Sequence, residues 1–106
     1  MDETQKPEEL NGKQRRHLRA LGHHLTAVLQ IGHEGVTDAV VKQAAAQLEA
    51  HELIKVKVGE TSPQDRHEAA GELAQKTSAH LAQVLGRTAL LYKARKDKPA
   101  IVLPKK

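Results

Sequence analysis

The stretch Ile31-Gly32-His33-Glu34-Gly35-Val36-Thr37 leaves the chain little choice of local structure. Before it, Val28, Leu29 and Ile31 make an apolar run with the character of a buried strand, and after it Thr37 has the side-chain chemistry of an N-cap. A strand must therefore turn into a helix within a few residues. Glycines at both ends of the turn free the backbone for φ > 0 and for close approach to a ligand, while the amides and dipole of a helix N-terminus favour an anion such as phosphate. A plain strand-to-helix turn uses the same spacing, so the loop by itself supports both readings.

The rest of the chain supplies further elements of both periods. A first helix runs from the N-cap Asn11 to about His23, with Leu10, Leu18, Leu21 and Leu25 on one side beside Gln14 and Arg15, Arg16, Arg19 and His23 opposite. This helix contains no Glu, whereas ordinary surface helices mix acids with bases for i,i+4 pairing. Its outer face is either a solvated surface or a basic contact face. A first strand is expected over Ala27–Ile31. The second helix starts at Thr37, with Val36 and Val41 as a hydrophobic staple, and runs to about His51 on Val40, Val41, Ala44 and Leu48. A second strand, Leu53–Val58, turns Ile54, Val56 and Val58 one way and Lys55 and Lys57 the other. Ser62-Pro63-Gln64-Asp65 predicts a third helix with Ser62 as N-cap and Pro63 at its first position, running to about Ser78 on Ala69, Ala70, Leu73, Ala74 and Thr77. Leu81–Leu85 and Thr88–Ala94 read as a hairpin closed by Gly86-Arg87 in a type II′ turn. The apolar triplet Ile101-Val102-Leu103 is expected to dock. The order αβαβαββ implies an α/β (α+β) domain with a mixed four-stranded sheet packed by helices.

Composition limits what such a domain can do. At 106 residues the chain suits one domain; residues 1–9 are polar and without period and are expected to be a disordered acidic lead, with the domain over 10–104. Cys, Phe and Trp are absent and Tyr92 is the sole aromatic, which removes disulfides, thiolate metal sites and cysteine nucleophiles, along with the stacking platforms of aromatic-rich single-strand binders. No apolar run approaches the ~18 residues of a membrane span. The opening Met1-Asp2-Glu3 is the opposite of a signal peptide's basic start, so a cytoplasmic location is expected. Counting Lys and Arg against Asp and Glu, the net charge of +4 divides into −3 for residues 1–9, +4 for 10–33, −3 for 34–52, +2 for 53–59, −2 for 60–79 and +6 for 80–106. Basic and acidic segments alternate, and convergence of the basic ones would create a positive face.

Several of these blocks resemble the CRM domain, and within that family its small stand-alone bacterial YhbY type. They are Lys13-Gln14 through Leu21, the stretch from Ile31 to Thr37, His51-Glu52-Leu53-Ile54-Lys55-Val56-Lys57, and Val84-Leu85-Gly86-Arg87-Thr88 with Leu90-Leu91-Tyr92. The resemblance runs from Asn11 to Leu103. It implies a fold similar to the C-terminal domain of bacterial translation initiation factor three, RNA binding, and association with rRNA in precursors of the large ribosomal subunit. It also implies RNA contact by Gly32, Gly35 and the strand-two lysines Lys55 and Lys57. Glu34 departs from a basic loop by placing a carboxylate where phosphate would be repelled.

The full set of candidate RNA-contacting residues is Lys13, Arg15, Arg16 and Arg19 on the first helix, Gly32, His33 and Gly35 in the loop, Lys55 and Lys57 on the second strand, and Arg87, Lys93 and Arg95 on the hairpin and beyond. His17, His23, His24, His33, His51, His67 and His80 lack the spacing of a metal site, and Glu34 beside His33 has no second convergent group with which to form a catalytic centre. No cofactor, metal, small-molecule substrate, membrane contact or enzymatic activity is expected, and the chain is expected to act as a monomer. The alternative reading is a protein-interaction module whose basic face docks an acidic partner.

Overall fold

Local chemistry sets where each element begins. Ahead of helix α1 (Gly12–Gly22), the Asn11 side chain accepts from the Gln14 amide at 2.8 Å and the Gln14 side chain accepts from the Asn11 amide at 3.1 Å. This reciprocal capping satisfies two otherwise orphan donors. Strand β1 (Ala27–Ile31) is followed by helix α2 (Asp38–His51), where the Thr37 hydroxyl accepts from the Val40 amide at 3.2 Å. Strand β2 (Leu53–Val58) leads to helix α3 (Arg66–Thr77), and strands β3 (His80–Leu85) and β4 (Thr88–Tyr92) form the hairpin. At its turn Gly86 has φ +59, as the first position of a type II′ turn requires. The computed structural model describes residues 9–104, so the expected disordered lead lies, except for Glu9, outside the described residues.

Helix α3 starts later than its sequence suggests. Asp65, not Ser62, is the N-cap, and its carboxylate accepts from the amides of His67 at 2.7 Å and Glu68 at 2.9 Å. Ser62 instead folds the preceding turn, its hydroxyl accepting from the Gln64 amide and donating to the Gln64 carbonyl. Two starting signals overlap within four residues, and the carboxylate that reaches two amides prevails over Pro63.

The sheet order is β1-β2-β4-β3. Strands β1 and β2 are parallel, joined by α2; β4 pairs antiparallel with both β2 and β3, so it fills the gap left between β2 and β3 by the α3 crossover. One face carries α2 and α3 on a core of Ile31, Ala44, Leu48, Ile54, Val56, Val58, Ala69, Leu73, Ala74, Ala79 and Leu91. The other carries α1 on a smaller core of Leu10, Leu18, Leu53, Ala82, Leu90 and Tyr92, onto which Ile101 and Leu103 pack. Of the expected first-helix stripe, Leu10 and Leu18 are buried, but Leu21 and Leu25 are 41% and 37% exposed. Leu25 lies beyond the helix end, and with Leu21 it borders an open hollow shared with Val28, Leu53, Ile54 and Ile101. The burial line of α1 runs Gln14, Leu18, Gly22, and at Gly22 an added Cβ would come within 2.7 Å of the Leu90 side chain. Any larger residue here would require the Leu90 side chain to shift.

Glu52 fastens the tail to this framework. It sits between α2 and β2 with φ +65, a conformation costing an L-residue roughly 1–2 kcal/mol. Glycine would be more comfortable there, but the fully buried carboxylate accepts from the amides of Arg95, Ala100 and Ile101 at 2.8, 2.8 and 2.9 Å. Burial pushes its carboxyl up. The amides of Arg95, Ile101 and Ala100, with the Arg95 guanidinium, outweigh that and hold it below the usual carboxylate value. Gln14 Nε2 adds a bond to the Pro104 carbonyl at 3.0 Å. The triplet docks as expected through Ile101 and Leu103, whereas Val102 is 80% exposed.

Candidate nucleic-acid interface

The part of the sheet that α1 leaves uncovered is polar and basic. Alternation along β2 sends Lys55 and Lys57 to the same face as Leu53, and the register sets Lys55 opposite Leu90 and Lys57 opposite Thr88. Beside the end of α1 lies a cleft of about 400 Å³ lined by Arg19, Ala20, Gly22, His23, Lys55, Gln83, Leu85, Thr88 and Leu90. No acidic residue lines it. Arg19 and Lys55, 36 residues apart in sequence, thus share one concave site. Among the described residues the one ion pair is Lys76–Glu72 at 2.8 Å on α3, so none of the basic groups of this face is neutralised by a carboxylate contact.

The glycine loop lies on the adjoining rim. The Gly59 amide donates to the Ile31 carbonyl at 2.9 Å and the Val58 amide to the Arg87 carbonyl at 2.7 Å, gathering the loop after β1, the turn after β2 and the hairpin tip at one end of the sheet. Within the loop the Gly35 amide bonds the Gly32 carbonyl at 3.0 Å and the Thr37 amide bonds the Gly35 carbonyl at 3.1 Å. These two donors are used internally and are not offered to a ligand. Among the described residues, the amides of His33 and Glu34 have no such partner. A shallow hollow of about 140 Å³ is bounded by Gly32, His33, Glu34, Gly35, Thr37 and Val40.

The two glycines are not equivalent. Gly35 has φ +77, and an added Cβ would press on the Pro63 ring at 3.2 Å, so the fold itself requires it. Gly32 lacks a positive φ, and an added Cβ there would meet nothing within 4 Å. Neither backbone conformation nor packing within the fold requires glycine at position 32.

The remaining sequence candidates fall into three groups. Arg19, Lys55, Lys57, Gly32, His33, Gly35 and Arg87 lie on the uncovered face and its rim. Lys13, Arg15 and Arg16 occupy the other end of α1, where the Arg15 Nε donates to the Leu10 carbonyl at 3.4 Å and an Arg16 guanidinium nitrogen lies over Gly12. Lys93 and Arg95 follow β4 at the far end of the sheet from the loop. There the Lys93 Nζ donates to the Thr77 carbonyl at 3.0 Å, while Arg95 bonds the carbonyls of Ala50 and Lys98. Both line a hollow shared with Glu49 and Asp97, so their charge meets acids.

The cleft also recruits His23, Gln83 and Thr88, which the sequence did not mark as contacts. Nothing in the one-dimensional pattern brings Gln83 to Lys55; only the insertion of β4 between β2 and β3 does so. On the covered half of the same face, the His80 ring stacks on Tyr92 with centroids 5.9 Å apart. Burial, with the Arg15 charge, pushes the His80 imidazole below its ordinary value. No group of three or more His, Cys, Asp or Glu side chains able to hold a metal ion occurs among the described residues. No helix there is long and apolar enough to cross a membrane.

A three-helix α+β domain with one sheet face sealed and the other partly open and basic is the class these features define. Comparison with known proteins is specific: residues 10–93 match the CRS1/YhbY (CRM) domain, and the chain belongs to that family. It is 44% identical over 95 residues to the Bacillus subtilis protein named "Probable RNA-binding protein YqeI", covering 90% of this chain and 99% of that one. A Haemophilus influenzae protein named "RNA-binding protein" is 33% identical, with 92% and 97% covered. The solution structure of a Staphylococcus aureus protein described as RNA binding superposes with a TM-score of 0.77 at 39% identity, covering 90% and 99% of the two chains.

Proposed function

We propose that this protein binds structured rRNA in precursors of the large ribosomal subunit and acts there as an assembly factor. It does so as a cytoplasmic monomer, using residues 10–104 as the RNA-binding unit behind an acidic lead. The observation that carries the reading is the uncovered sheet face, where Arg19, Lys55 and Lys57 stand without a carboxylate partner beside the glycine loop. Such a face supplies phosphate contacts, and the names of the relatives make RNA the source of the phosphates. The sole aromatic, Tyr92, is 4% exposed and beyond reach of a base. Recognition therefore rests on backbone shape, 2′-hydroxyls and phosphates rather than on aromatic stacking. Assignment to the large-subunit precursor rests on the family resemblance.

Co-sedimentation through a ribosomal profile tests this directly. The protein is expected to travel with large-subunit precursors and to be released when the lysate is treated with nuclease. If it instead stays with a protein complex after nuclease treatment, the basic face docks an acidic partner. In that case rRNA fragments would also fail to show the steep salt dependence of phosphate contacts.

A further inference from the structure

The cleft beside α1 differs chemically from a bare phosphate site. Its cations come from two elements, Arg19 on α1 and Lys55 on β2. The rest of its wall is neutral: the Gln83 amide and Thr88 hydroxyl are polar, and Leu85 and Leu90 are apolar. The helix contributes its C-terminal end through Ala20, Gly22 and His23; the Ala20 and Gly22 carbonyls already accept from the His23 and Leu25 amides, and the negative end of the helix disfavours an anion there. A site for phosphate alone needs none of these. At about 400 Å³ the cleft falls within the range of small-ligand pockets and is far larger than the shallow loop hollow of about 140 Å³. At its inner end Gly22 packs closely on Leu90, where an added Cβ would fall 2.7 Å from the Leu90 side chain.

We infer that this cleft receives a single unpaired nucleotide of the bound RNA. Arg19 and Lys55 hold its phosphate, while Gln83 and Thr88 hydrogen-bond its ribose hydroxyl and base edge against the Leu85–Leu90 wall. The inference rests on the RNA-binding reading above and adds the class of RNA: a helix interrupted by a bulged or looped-out nucleotide. A continuous A-form duplex keeps its bases stacked inside and offers nothing to enter a concave site.

Two hairpin RNAs, identical except for one bulged nucleotide, test this by binding to the full chain. The bulged hairpin is expected to bind about tenfold more tightly, equivalent to roughly 1.4 kcal/mol. Gln83→Ala and the near-isosteric Thr88→Val are each expected to lower that preference about three- to tenfold, the worth of one hydrogen bond, while leaving the dependence of affinity on salt unchanged. Thermal melts confirm that each variant is folded, and Thr88→Val preserves the β-branched shape of its strand should Gln83→Ala disturb β3. Equal affinity for the two hairpins, or full preference retained in both folded variants, would overturn the nucleotide pocket while leaving RNA binding intact. Absence of salt-dependent binding to either hairpin would overturn the RNA-binding reading itself and the pocket with it.

Discussion

Toward α2 and α3 the sheet presents Ile31, Ile54, Val56, Val58 and Leu91, none more than 1% exposed; toward α1 the neighbouring residues of β2 and β4 present Lys55, Lys57 and Thr88 beside the buried Leu53, Leu90 and Tyr92. The two faces differ by a shift of one residue along each strand. Strand alternation therefore lets six residues of β2 serve the core and the open basic face together. Two helices close the first face, while one helix and a tail close only half of the second. Substitutions on the sealed face are expected to act on stability and those on the open face on binding, and each prediction below tests that division.

The largest effect belongs to the sealed face. Leu73→Ala removes a fully buried side chain from the larger core and is expected to cost about 2–5 kcal/mol in denaturant unfolding. RNA affinity measured well below the melting temperature is expected to stay the same. A loss of affinity in the folded variant would show that the two faces are coupled.

Glu52→Gln tests the clamp that holds the tail over the covered half of the second face. An amide has one accepting oxygen where the carboxylate uses two, so its NH2 group must face a backbone donor, at a cost of roughly 1–3 kcal/mol. The acid limb of stability carries the same signature. The folded carboxyl lies below the ordinary glutamate value of 4.5, so its stabilisation is present above that pH and is lost as pH falls through the folded value. Stability–pH curves of the wild type and Glu52→Gln are expected to converge on the acid side. Parallel curves would mean that the buried carboxylate does not clamp the tail.

The loop separates fold from function within one motif. Gly35→Ala forces a left-handed residue against Pro63 and is expected to lower stability by roughly 1–2 kcal/mol. Gly32→Ala meets open space and is expected to leave the melting temperature unchanged while weakening RNA binding. If Gly32→Ala binds RNA normally, the loop is a structural turn, and binding belongs to the cleft and the strand-two lysines alone.

Much of this division was legible in the sequence because it follows from periodicity. Ala27–Ile31 and Leu53–Val58 are observed with the expected bounds, Asn11 and Thr37 cap as their side chains dictate, and the burial of Ala69, Ala70, Leu73, Ala74 and Thr77 follows the expected stripe. The sequence misled where two local signals compete or where the outcome depends on distant partners. Asp65 displaced Ser62 as a cap because both precede the same helix, and Leu21 and Leu25 border an open hollow rather than the core, Leu25 because the helix ends before it. Glu52 reads as the acidic end of a helix until the amides of Arg95, Ala100 and Ile101 arrive from more than 40 residues away. For the candidate site, the basic segments identified the open face through Arg19, Lys55 and Lys57. The separation of Lys93 and Arg95 from the loop depends on strand direction, which charge counting does not carry.

The central claim is that the open half of the second face binds RNA through its unpaired cations, and a salt titration of the variant Lys55→Gln/Lys57→Gln tests it most directly. Both changes remove the charge while shortening the side chain by one atom, and both lie on the uncovered face, so stability is expected to move by no more than about 0.5 kcal/mol each. Affinity for a structured rRNA fragment is expected to fall, and the log–log slope of affinity against salt is expected to shrink by about 1.4 to 1.8, the release expected for two phosphate contacts. A double variant that remains folded and binds with the affinity and slope of the wild type would contradict the claim.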